Sequence, residues 1–509
     1  MMRFLACRRS LLVWPLLVIA TVTVGAASGD LDPSFASGGK YLSTLYGTSM
    51  FGPSVAVQPG GRIVVAGKNF NGNDDDFALL ALTSAGASEV SAIVPFSNGK
   101  NEDAKTVLLM GDGRIVIGGE GNAGTYAQHG LVRFLANGAL DATFGSGGKV
   151  SIDFGRLSHL HGIARQTDGK LVVIGDSYGG VNSGGRIAVA RLNVNGSLDT
   201  SFGAGGKVEA SYGESSNGHA VVIGADGKIT IGGYVENTNS GLASACYVAR
   251  FTASGQVDTA FGSGGSTVAT LGSGATNYCH QLVMQTDGKV VIAGGTLRNS
   301  IGDFVMARYT TTGALDASFG SGGVVSTEFG GRLPSSSDEA SAIALQPDGK
   351  LLLGGYTEGK FAVARYSSAG ALDTTFGTGG KVSFAFGSGV DDQIKSIALQ
   401  PDGKIVVAGY TRAGANYQLA IARLLNDAGG ALSDADRLFN YAEAVLPNYF
   451  GAGTTTTQQV SGYTARVYAN GMAVAVKDGR VYVYGDVYGG LRDVGTLTSL
   501  FAQAVQAGY

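Results

Sequence analysis

The chain has 509 residues, a formal net charge of −3 and 83 glycines, with 44% hydrophobic and 15% charged residues. The glycines follow no strict Gly-X-Y period, which excludes collagen, and the excess of apolar over charged residues excludes a largely disordered chain. The mild acidity argues against nucleic acid as a partner, because nucleic-acid binding needs basic surface that neutralises phosphate.

Residues 1–27 are typical of a secretory signal peptide. Three arginines precede an apolar run, Leu11 to Val24, and small residues follow it. This run is shorter than the roughly 20 residues that cross a bilayer, so we expect no membrane span after its removal. Removal leaves 33 basic and 39 acidic residues, a formal charge of −6. We expect a secreted, periplasmic or cell-envelope protein.

Seven turn signals recur along the chain at intervals of 52 to 61 residues. The first reads Pro59-Gly-Gly-Arg62 and the others contain Asp-Gly, the strongest short signal for a tight β-hairpin. A recurrent unit of this size indicates a repeat architecture. The second glycines of the seven turns are Gly61, Gly113, Gly169, Gly227, Gly288, Gly349 and Gly403.

Each unit contains four short apolar segments separated by turns. Residues 396–400 and 405–409 flank one Asp-Gly turn, and residues 361–366 and 381–384 show the second pair of segments. Four-stranded units arranged around an axis are the blades of a propeller. The sequence therefore predicts an all-β fold over residues 31–430, a seven-bladed β-propeller of four-stranded blades without helices. An open solenoid is the alternative, because a repeat period alone does not enforce closure.

The amino-acid sequence of the unit resembles that of the bacterial delta-60 repeat family. The segments that carry the resemblance are Ala398–Gly409, Phe361–Tyr366 and Leu372–Val382, and the resemblance covers about residues 31–430. It implies a propeller and no activity, since that family is defined by its repeat. The first unit departs from the pattern, with residues 83–90 in place of the usual Leu-Asp turn segment.

An arginine and an aspartate recur eight residues apart, on either side of a turn. The pairs are Arg133 and Asp141, Arg191 and Asp199, Arg250 and Asp258, Arg308 and Asp316, and Arg365 and Asp373. Five equal copies favour a structural cross-strand ion pair over a catalytic one. Arg423 lacks its acid and Asp32 lacks a preceding arginine. We therefore expect residues 31–45 to supply the outer strand of the last blade, with Asp32 beside Arg423, because such closure removes exposed strand edges.

The periodicity changes after Gly430, and residues 431–509 predict a small α+β module. A helix is expected over residues 434–446 and another around Leu497–Val505. Three strands are expected between them, at residues 465–468, 472–477 and 481–484. Tyrosines are frequent in this segment, and strand packing explains them as well as a binding surface does.

Five histidines are candidate ligand or metal-binding residues. They fall in the predicted loops that lead from second to third strands or into first strands, and these loops share one face of a propeller. A transition metal is the candidate ion, although no metal-ligand signature is present, so solvated loop histidines are the simpler interpretation. The residues are His129, His159, His161, His219 and His280.

Two further groups of residues have alternative interpretations. Acidic clusters at residues 74–76, 338–339 and 391–392 offer oxygen ligands for calcium, but none has the spacing of a calcium loop, which favours solvated charge. Cys246 and Cys279 remain after removal of the signal segment. Export permits a disulfide, but without a dense cysteine framework we expect two unpaired thiols.

The sequence does not identify a reaction. A zinc-protease motif and a phosphate loop are absent from it, and no Gly-x-Ser-x-Gly or Gly-x-Gly-x-x-Gly string leads from a strand into a helical pattern, as a nucleophile elbow or a dinucleotide fingerprint requires. We expect a monomeric scaffold that binds protein or carbohydrate at the cell surface. The alternatives are an extracellular hydrolase or lyase that acts on polysaccharide at the histidine-bearing face, and a purely structural surface protein that self-assembles.

Overall fold

Asp-Gly turns join the first two strands of the blades. Gly403 takes a φ of 85°, which glycine adopts without steric cost, and its N–H donates to Gln400 O over 2.8 Å. The strands on either side pair antiparallel from Leu399 and Ile405 outward. A local signal, Asp-Gly between apolar runs, thus sets the register of the hairpin.

The computed structural model describes residues 27–47, 52–96, 100–121, 125–179, 184–237, 242–272, 276–298, 301–329, 338–387 and 391–427, and five strands between 456 and 496. The first 26 residues, and with them nearly all of the predicted signal peptide, lie outside the described residues. Between 27 and 427 every regular element described is a strand or a turn, as the sequence predicted. The described segments contain no helix long and apolar enough to cross a membrane.

Twenty-eight strands form seven four-stranded antiparallel sheets, the blades. Strand β1 spans Lys40–Gly47. Blade 1 comprises β2 (Ser54–Val57), β3 (Ile63–Phe70), β4 (Asp75–Leu82) and β5 (Ser88–Val94). Blade 2 comprises β6 (Asp103–Leu109), β7 (Ile115–Gly121), β8 (Gln128–Phe134) and β9 (Lys149–Ile152). Blade 3 comprises β10 (Leu157–Arg165), β11 (Leu171–Tyr178), β12 (Gly185–Leu192) and β13 (Lys207–Ala210).

The remaining blades repeat this order. Blade 4 comprises β14 (Ser215–Ile223), β15 (Ile229–Asn237), β16 (Leu242–Phe251) and β17 (Ser266–Ala269). Blade 5 comprises β18 (Thr276–Met284), β19 (Val290–Arg298), β20 (Ile301–Tyr309) and β21 (Val324–Thr327). Blade 6 comprises β22 (Glu339–Leu345), β23 (Leu351–Thr357), β24 (Lys360–Tyr366) and β25 (Lys381–Phe384). Blade 7 contains β26 (Gln393–Leu399), β27 (Ile405–Ala413) and β28 (Asn416–Leu424).

The start of the described chain completes blade 7 and closes the ring. Strand β1 pairs antiparallel with β28, with Lys40 opposite Ala422, so blade 7 has the order β26-β27-β28-β1. The first strands of neighbouring blades contact one another all the way round, including β2 with β26, and surround a central channel. The fold is therefore a closed seven-bladed propeller, and the open solenoid is excluded.

The core lies between the blades. Each of seven clusters of buried apolar side chains is shared by two adjacent blades, and the last joins blade 7 to blade 1. In that last cluster Val55 and Ile63 of blade 1 pack with Val406 and Ile421 of blade 7. Burying each large aliphatic side chain contributes roughly 1.5 to 3 kcal/mol. Each blade covers the apolar face of its neighbour, so closure removes the last exposed face.

The recurrent arginine–aspartate pairs are buried, and the aspartate of each also binds the basic residue of the Asp-Gly turn. In blade 3, Arg191 Nε donates to Asp199 Oδ2 over 2.7 Å, and Lys170 of the Asp-Gly turn reaches the same oxygen at 2.9 Å. The guanidinium also covers the ring of Phe202 at 4.8 Å. The sequence predicted the pairs but not the lysine. Blade 1 departs here as its sequence did, with Arg62 pairing with Glu89 instead.

The same unit recurs at the closure. Arg423 Nη2 lies 2.9 Å from Asp32 Oδ2, and Lys404 of the last Asp-Gly turn lies 3.2 Å from that oxygen. Arg423 covers the ring of Phe35 at 4.8 Å. Burial alone would raise the pKa of Asp32, but hydrogen bonds from Ser34 and the neighbouring cations lower the pKa to about 2. The two unmatched residues of the sequence thus complete one more copy of the repeated ion pair.

The expectation of unpaired cysteines was wrong. Cys246 on β16 and Cys279 on β18 form a disulfide with a Cα–Cα distance of 5.5 Å. Both side chains are fully buried between blades 4 and 5. Spacing could not reveal this contact, because it depends on how two blades pack. The bond links the third strand of one blade to the first strand of the next.

The C-terminal segment contains a five-stranded antiparallel sheet in sequence order. Its strands are β29 (Thr456–Val460), β30 (Tyr463–Val467), β31 (Ala473–Lys477), β32 (Arg480–Tyr484) and β33 (Arg492–Thr496). The middle three correspond to the three strands expected there. The two predicted helices lie outside the described residues.

Candidate binding site at the channel mouth

A β-bulge interrupts the first strand of six blades. In blade 3, Leu160 pairs with Gly175 and Gly162 with Ile174, so His161 is an extra residue without a partner in the ladder. A Cβ on Gly175 would lie 1.8 Å from His159 O, so the close approach of the two strands requires glycine. The extra residues of blades 2 to 7 are Lys105, His161, His219, His280, Ser341 and Lys395.

These bulges lie toward the end of the channel opposite the Asp-Gly turns, which we call the channel mouth. In blade 3 the Asp-Gly end of the hairpin is the pair Arg165–Leu171, and the mouth end is the pair Leu157–Tyr178. His159 pairs with Asp176 near that mouth end. Polar residues of the first and second strands therefore collect around the mouth.

The prediction that the histidines lie in loops was wrong, because the first strands extend beyond their apolar runs. His159, His161, His219 and His280 lie on β10, β14 and β18, and His129 lies on β8. The bulge moves the polar residues out of simple alternation, so the apolar pattern alone begins each first strand too late. A glycine five residues after the Lys or Arg of the turn lies opposite each bulge in blades 2 to 7, such as Gly175 after Lys170, but blade 1 has the same glycine, Gly67, without a bulge in its described first strand.

Four of the five histidines come together, and we call them, with Asp176, Glu339, Tyr234 and Tyr278, the channel-mouth cluster. The rings of His161 and His219 stack at 4.5 Å with an interplanar angle of 20°. His280 meets His219 edge-on at 5.3 Å. Tyr234 lies 5.3 Å from His219 and 5.1 Å from Tyr278. Three successive blades thus present one continuous row of rings.

Asp176 joins two of the histidines. His159 Nδ1 and His161 Nε2 each lie 2.9 Å from one of its carboxylate oxygens. Burial would raise the pKa of Asp176, but hydrogen bonds from the two histidines hold the pKa well below its ordinary value. The same carboxylate, with help from Glu120, raises the pKa of His159 against the effect of burial. Asp176 is therefore a fixed anion that orients both rings.

The middle of the row is kept uncharged. Burial, with the adjacent histidines His161 and His280, lowers the pKa of His219 well below 6.5. Burial and the charge of Lys105 lower the pKa of His161 despite Asp176. If its Nε2–H donates to Asp176, neutral His161 keeps Nδ1 as an acceptor. Groups with pKa values pushed apart in this way are characteristic of functional sites.

Glu339 anchors the other end of the row. Its Oε1 accepts from His280 Nε2 over 2.7 Å, and its Oε2 accepts from the Tyr356 hydroxyl over 3.1 Å. Burial would raise the pKa of Glu339, but His280 lowers the pKa to about 2. The side chains of Glu339 and His280 are each 24% exposed, so the site remains open to a ligand. The sequence analysis considered Glu339 only as a candidate calcium ligand, and it did not identify Asp176, Tyr234 or Tyr278.

His129 is separated from the row by burial. Its side chain is fully buried against Phe154, with ring centroids 4.9 Å apart, and neither ring nitrogen makes a hydrogen bond in the structure. Burial lowers the pKa of His129 to about 3, so the ring is neutral. A ligand at the channel mouth therefore has no direct access to it.

The metal hypothesis finds no support in the geometry. Among the described residues, no group of three or more His, Cys, Asp or Glu side chains is placed to hold a metal ion. The carboxylates of Asp176 and Glu339 are already hydrogen-bonded to histidine rings. The described part of the mouth presents hydrogen-bonding groups and aromatic faces.

The acidic clusters are mostly buried, which corrects the expectation of solvated charge. Asp75 pairs with Lys68 at 3.0 Å, both nearly inaccessible. Asp338 accepts the N–H of Phe329 over 2.9 Å, and Asp392 accepts the N–H of Phe386 over 2.7 Å. These two aspartates secure the loops that enter blades 6 and 7. Only Asp391 behaves as expected, pairing at the surface with Arg412.

Comparison with known proteins agrees with the fold. The profile of a domain of unknown function, the DUF5122 beta-propeller, matches six segments, residues 111–144, 166–202, 224–261, 285–319, 346–376 and 400–427. With the seven blades, this makes the chain a β-propeller repeat protein. No curated protein matches the chain significantly.

Solved structures resemble the chain at low identity and with TM-scores below 0.5. A chain of the mitotic checkpoint complex is 12% identical with a TM-score of 0.44, covering 84% of this chain and 99% of its own. The polysaccharide lyase Uly1 is 12% identical with a TM-score of 0.46, covering 75% and 91%. The α-L-arabinofuranosidase Arb93A from Fusarium graminearum is 8% identical with a TM-score of 0.40, covering 76% and 98%. These likenesses concern the fold alone.

Proposed function

Taking the chain as a β-propeller repeat protein, we propose that it is a secreted or cell-envelope protein that binds carbohydrate at the channel mouth. The proposal depends on one observation: the bulge positions, which differ from blade to blade, are polar, lie toward this mouth and, apart from the buried Ser341, are partly exposed. A fold held by identical copies has no structural need for this variation.

Carbohydrate suits the shape and chemistry of the cluster. The row of His161, His219, His280, Tyr234 and Tyr278 offers aromatic faces, while the hydroxyls and carboxylates around it offer hydrogen bonds. Binding sites for small molecules combine apolar or aromatic walls with a few convergent polar groups. We propose a monomer, since the channel-mouth cluster is complete within one chain.

A glycan panel tests the proposal. Oligosaccharides released from plant, algal and bacterial polysaccharides are titrated into the mature protein and binding is followed by calorimetry. We expect at least one to bind and His219→Gln to weaken it by tenfold or more, about 1.4 kcal/mol. Lys289→Gln, at the Asp-Gly end, is the control and should bind normally. No binding across the panel, or binding unaffected by His219→Gln with His280→Gln, contradicts the proposal.

Cleavage of the bound polysaccharide is the second candidate. It is favoured by the proton-carrying groups at the mouth, namely His159 and His161 on Asp176 and the chain from His280 through Glu339 to Tyr356. General acid–base catalysis uses such groups when they lie within hydrogen-bonding reach of the substrate. Release of new reducing ends from a bound polysaccharide, abolished by Asp176→Asn, would establish an enzyme. Binding without any release would leave a scaffold.

A further inference from the structure

The bulge position of the first strand is basic at both ends of the row. Lys105 of blade 2 precedes the three histidines, and Lys395 of blade 7 follows Ser341 of blade 6. Only blade 1, whose short first strand begins at Ser54, separates the two lysines around the ring. Both lysine side chains are half-buried on strands that surround the channel.

Three acids near the row are engaged by cations or histidines and a fourth is weakened, while Glu236 lies close enough to raise the pKa values of Tyr234 and Tyr278. Asp176 and Glu339 are engaged by histidines, and Asp75 is paired with Lys68. Burial raises the pKa of Asp103, so this acid opposes Lys105 less than an ordinary carboxylate would. Glu120 lies 3.9 Å from His159.

The two lysines are uncommitted. Within the described residues, neither lysine nitrogen has a carboxylate within 4 Å, whereas other lysines of the repeat, such as Lys170 and Lys289, do. Lys395 lies 5.7 Å above the ring of Tyr410, and burial lowers its pKa although Glu339 opposes this. A half-buried cation without a counter-ion costs free energy, which an anionic ligand would recover.

We propose that the carbohydrate is acidic, and that Lys105 and Lys395 bind the carboxylates of uronic acid residues while the histidine and tyrosine rings contact the sugar faces. This inference rests on the proposed function and adds the class of saccharide. Two lysines on either side of blade 1 suit a ligand with a carboxylate on more than one residue. The site therefore selects polyuronate chains over neutral glucans.

The test compares each ligand with its own neutral form. Oligogalacturonate, oligoalginate and hyaluronan oligosaccharides are titrated alongside their carboxyl-reduced counterparts at low and high salt. We expect the wild type to bind at least one acidic form ten times or more tightly than its reduced form, and the preference to shrink as salt rises. Lys105→Gln and Lys395→Gln should each reduce the preference at least threefold without changing affinity for the reduced form.

Matched variants separate charge from structure. Lys105→Arg and Lys395→Arg should keep the preference, and Lys289→Gln should leave it unchanged. Equal affinity for an acidic saccharide and its reduced form, or a preference that survives in the doubly Gln-substituted protein, overturns the inference while leaving carbohydrate binding in place. Failure of every saccharide to bind overturns the proposed function and this inference with it.

Discussion

The two ends of the blades differ in how far they repeat. At the Asp-Gly end, blades 2 to 7 each carry an arginine, an aspartate and a basic turn residue in the same arrangement, down to the pair of Arg423 with Asp32. At the channel mouth, the equivalent bulge residues are lysine, histidine or serine. Uniform copies meet a need that every blade shares, which is packing on its neighbour. Positions that vary within a rigid frame are not fixed by that shared need, which is why we propose the ligand site there.

The largest effect is expected where the repeated end closes the ring. Arg423→Met leaves Asp32 buried with one cation fewer, and breaking a buried pair costs about 3 to 5 kcal/mol. The more exposed pair of blade 4 provides the control, and Arg250→Met should cost less. Urea unfolding of both variants measures the difference. Equal, small losses would show that closure does not depend on this pair, and ligand binding at the mouth should be normal in whatever protein remains folded.

Loss of the disulfide should come next. Cys246 and Cys279 are separated by 33 residues, and a cross-link over that distance contributes about 3 to 4 kcal/mol by restricting the unfolded chain. The doubly substituted Cys246→Ser, Cys279→Ala protein should unfold at lower urea and be insensitive to reductant, unlike the wild type. Because Cys279 precedes His280, ligand affinity is measured as well. An unchanged unfolding midpoint in reductant would contradict the bond.

A third comparison uses pH to separate two histidines. The pKa of His129 falls from an ordinary 6.5 to about 3 in the folded protein, so stability is lost as pH falls below 6.5, because only the unfolded chain takes up the proton. The limit is about 1.4 kcal/mol per pH unit. His129→Leu should remove this loss. Between pH 7.5 and pH 4.5 the free energy of unfolding of the wild type should therefore fall by about 2 to 3 kcal/mol more than that of the variant.

His159 should show the opposite sign. Its pKa is raised in the folded state, so its contribution is present below 6.5 and is lost as pH rises through the raised value. His159→Gln should therefore lose stability at pH 5.5 and little at pH 9. Urea unfolding across the pH range measures both variants. Parallel pH profiles for the two variants would show that burial and the Asp176 contact do not act as described.

The smallest effect on stability is expected at the mouth lysines. Lys105→Gln and Lys395→Gln remove half-buried cations that have no carboxylate partner among the described residues, and should therefore raise the free energy of unfolding, by no more than about 0.5 kcal/mol. The same changes should alter ligand preference severalfold. A large loss of stability without any change in binding would contradict this difference between the two ends, because the channel mouth would then serve stability and not ligand binding.

Local sequence signals predicted much of the fold. Asp-Gly turns, apolar segments and the arginine–aspartate spacing were enough for seven four-stranded blades, because each feature depends on residues near one another in the chain. The unmatched Asp32 and Arg423 suggested how the ends meet. The candidate site was predicted less well. The histidines were recognised but placed in loops, and Asp176 was missed because an acid within an apolar strand has no distinguishing neighbour in the sequence.

What the sequence determined by itself was the repeating unit, its turns and the number of units, since hairpin register follows from short-range backbone chemistry. What only the tertiary structure decided was which residues of different blades come together. The row of His161, His219 and His280 and the bond between Cys246 and Cys279 arise from packing between units. Those contacts span tens of residues, and no local pattern encodes them.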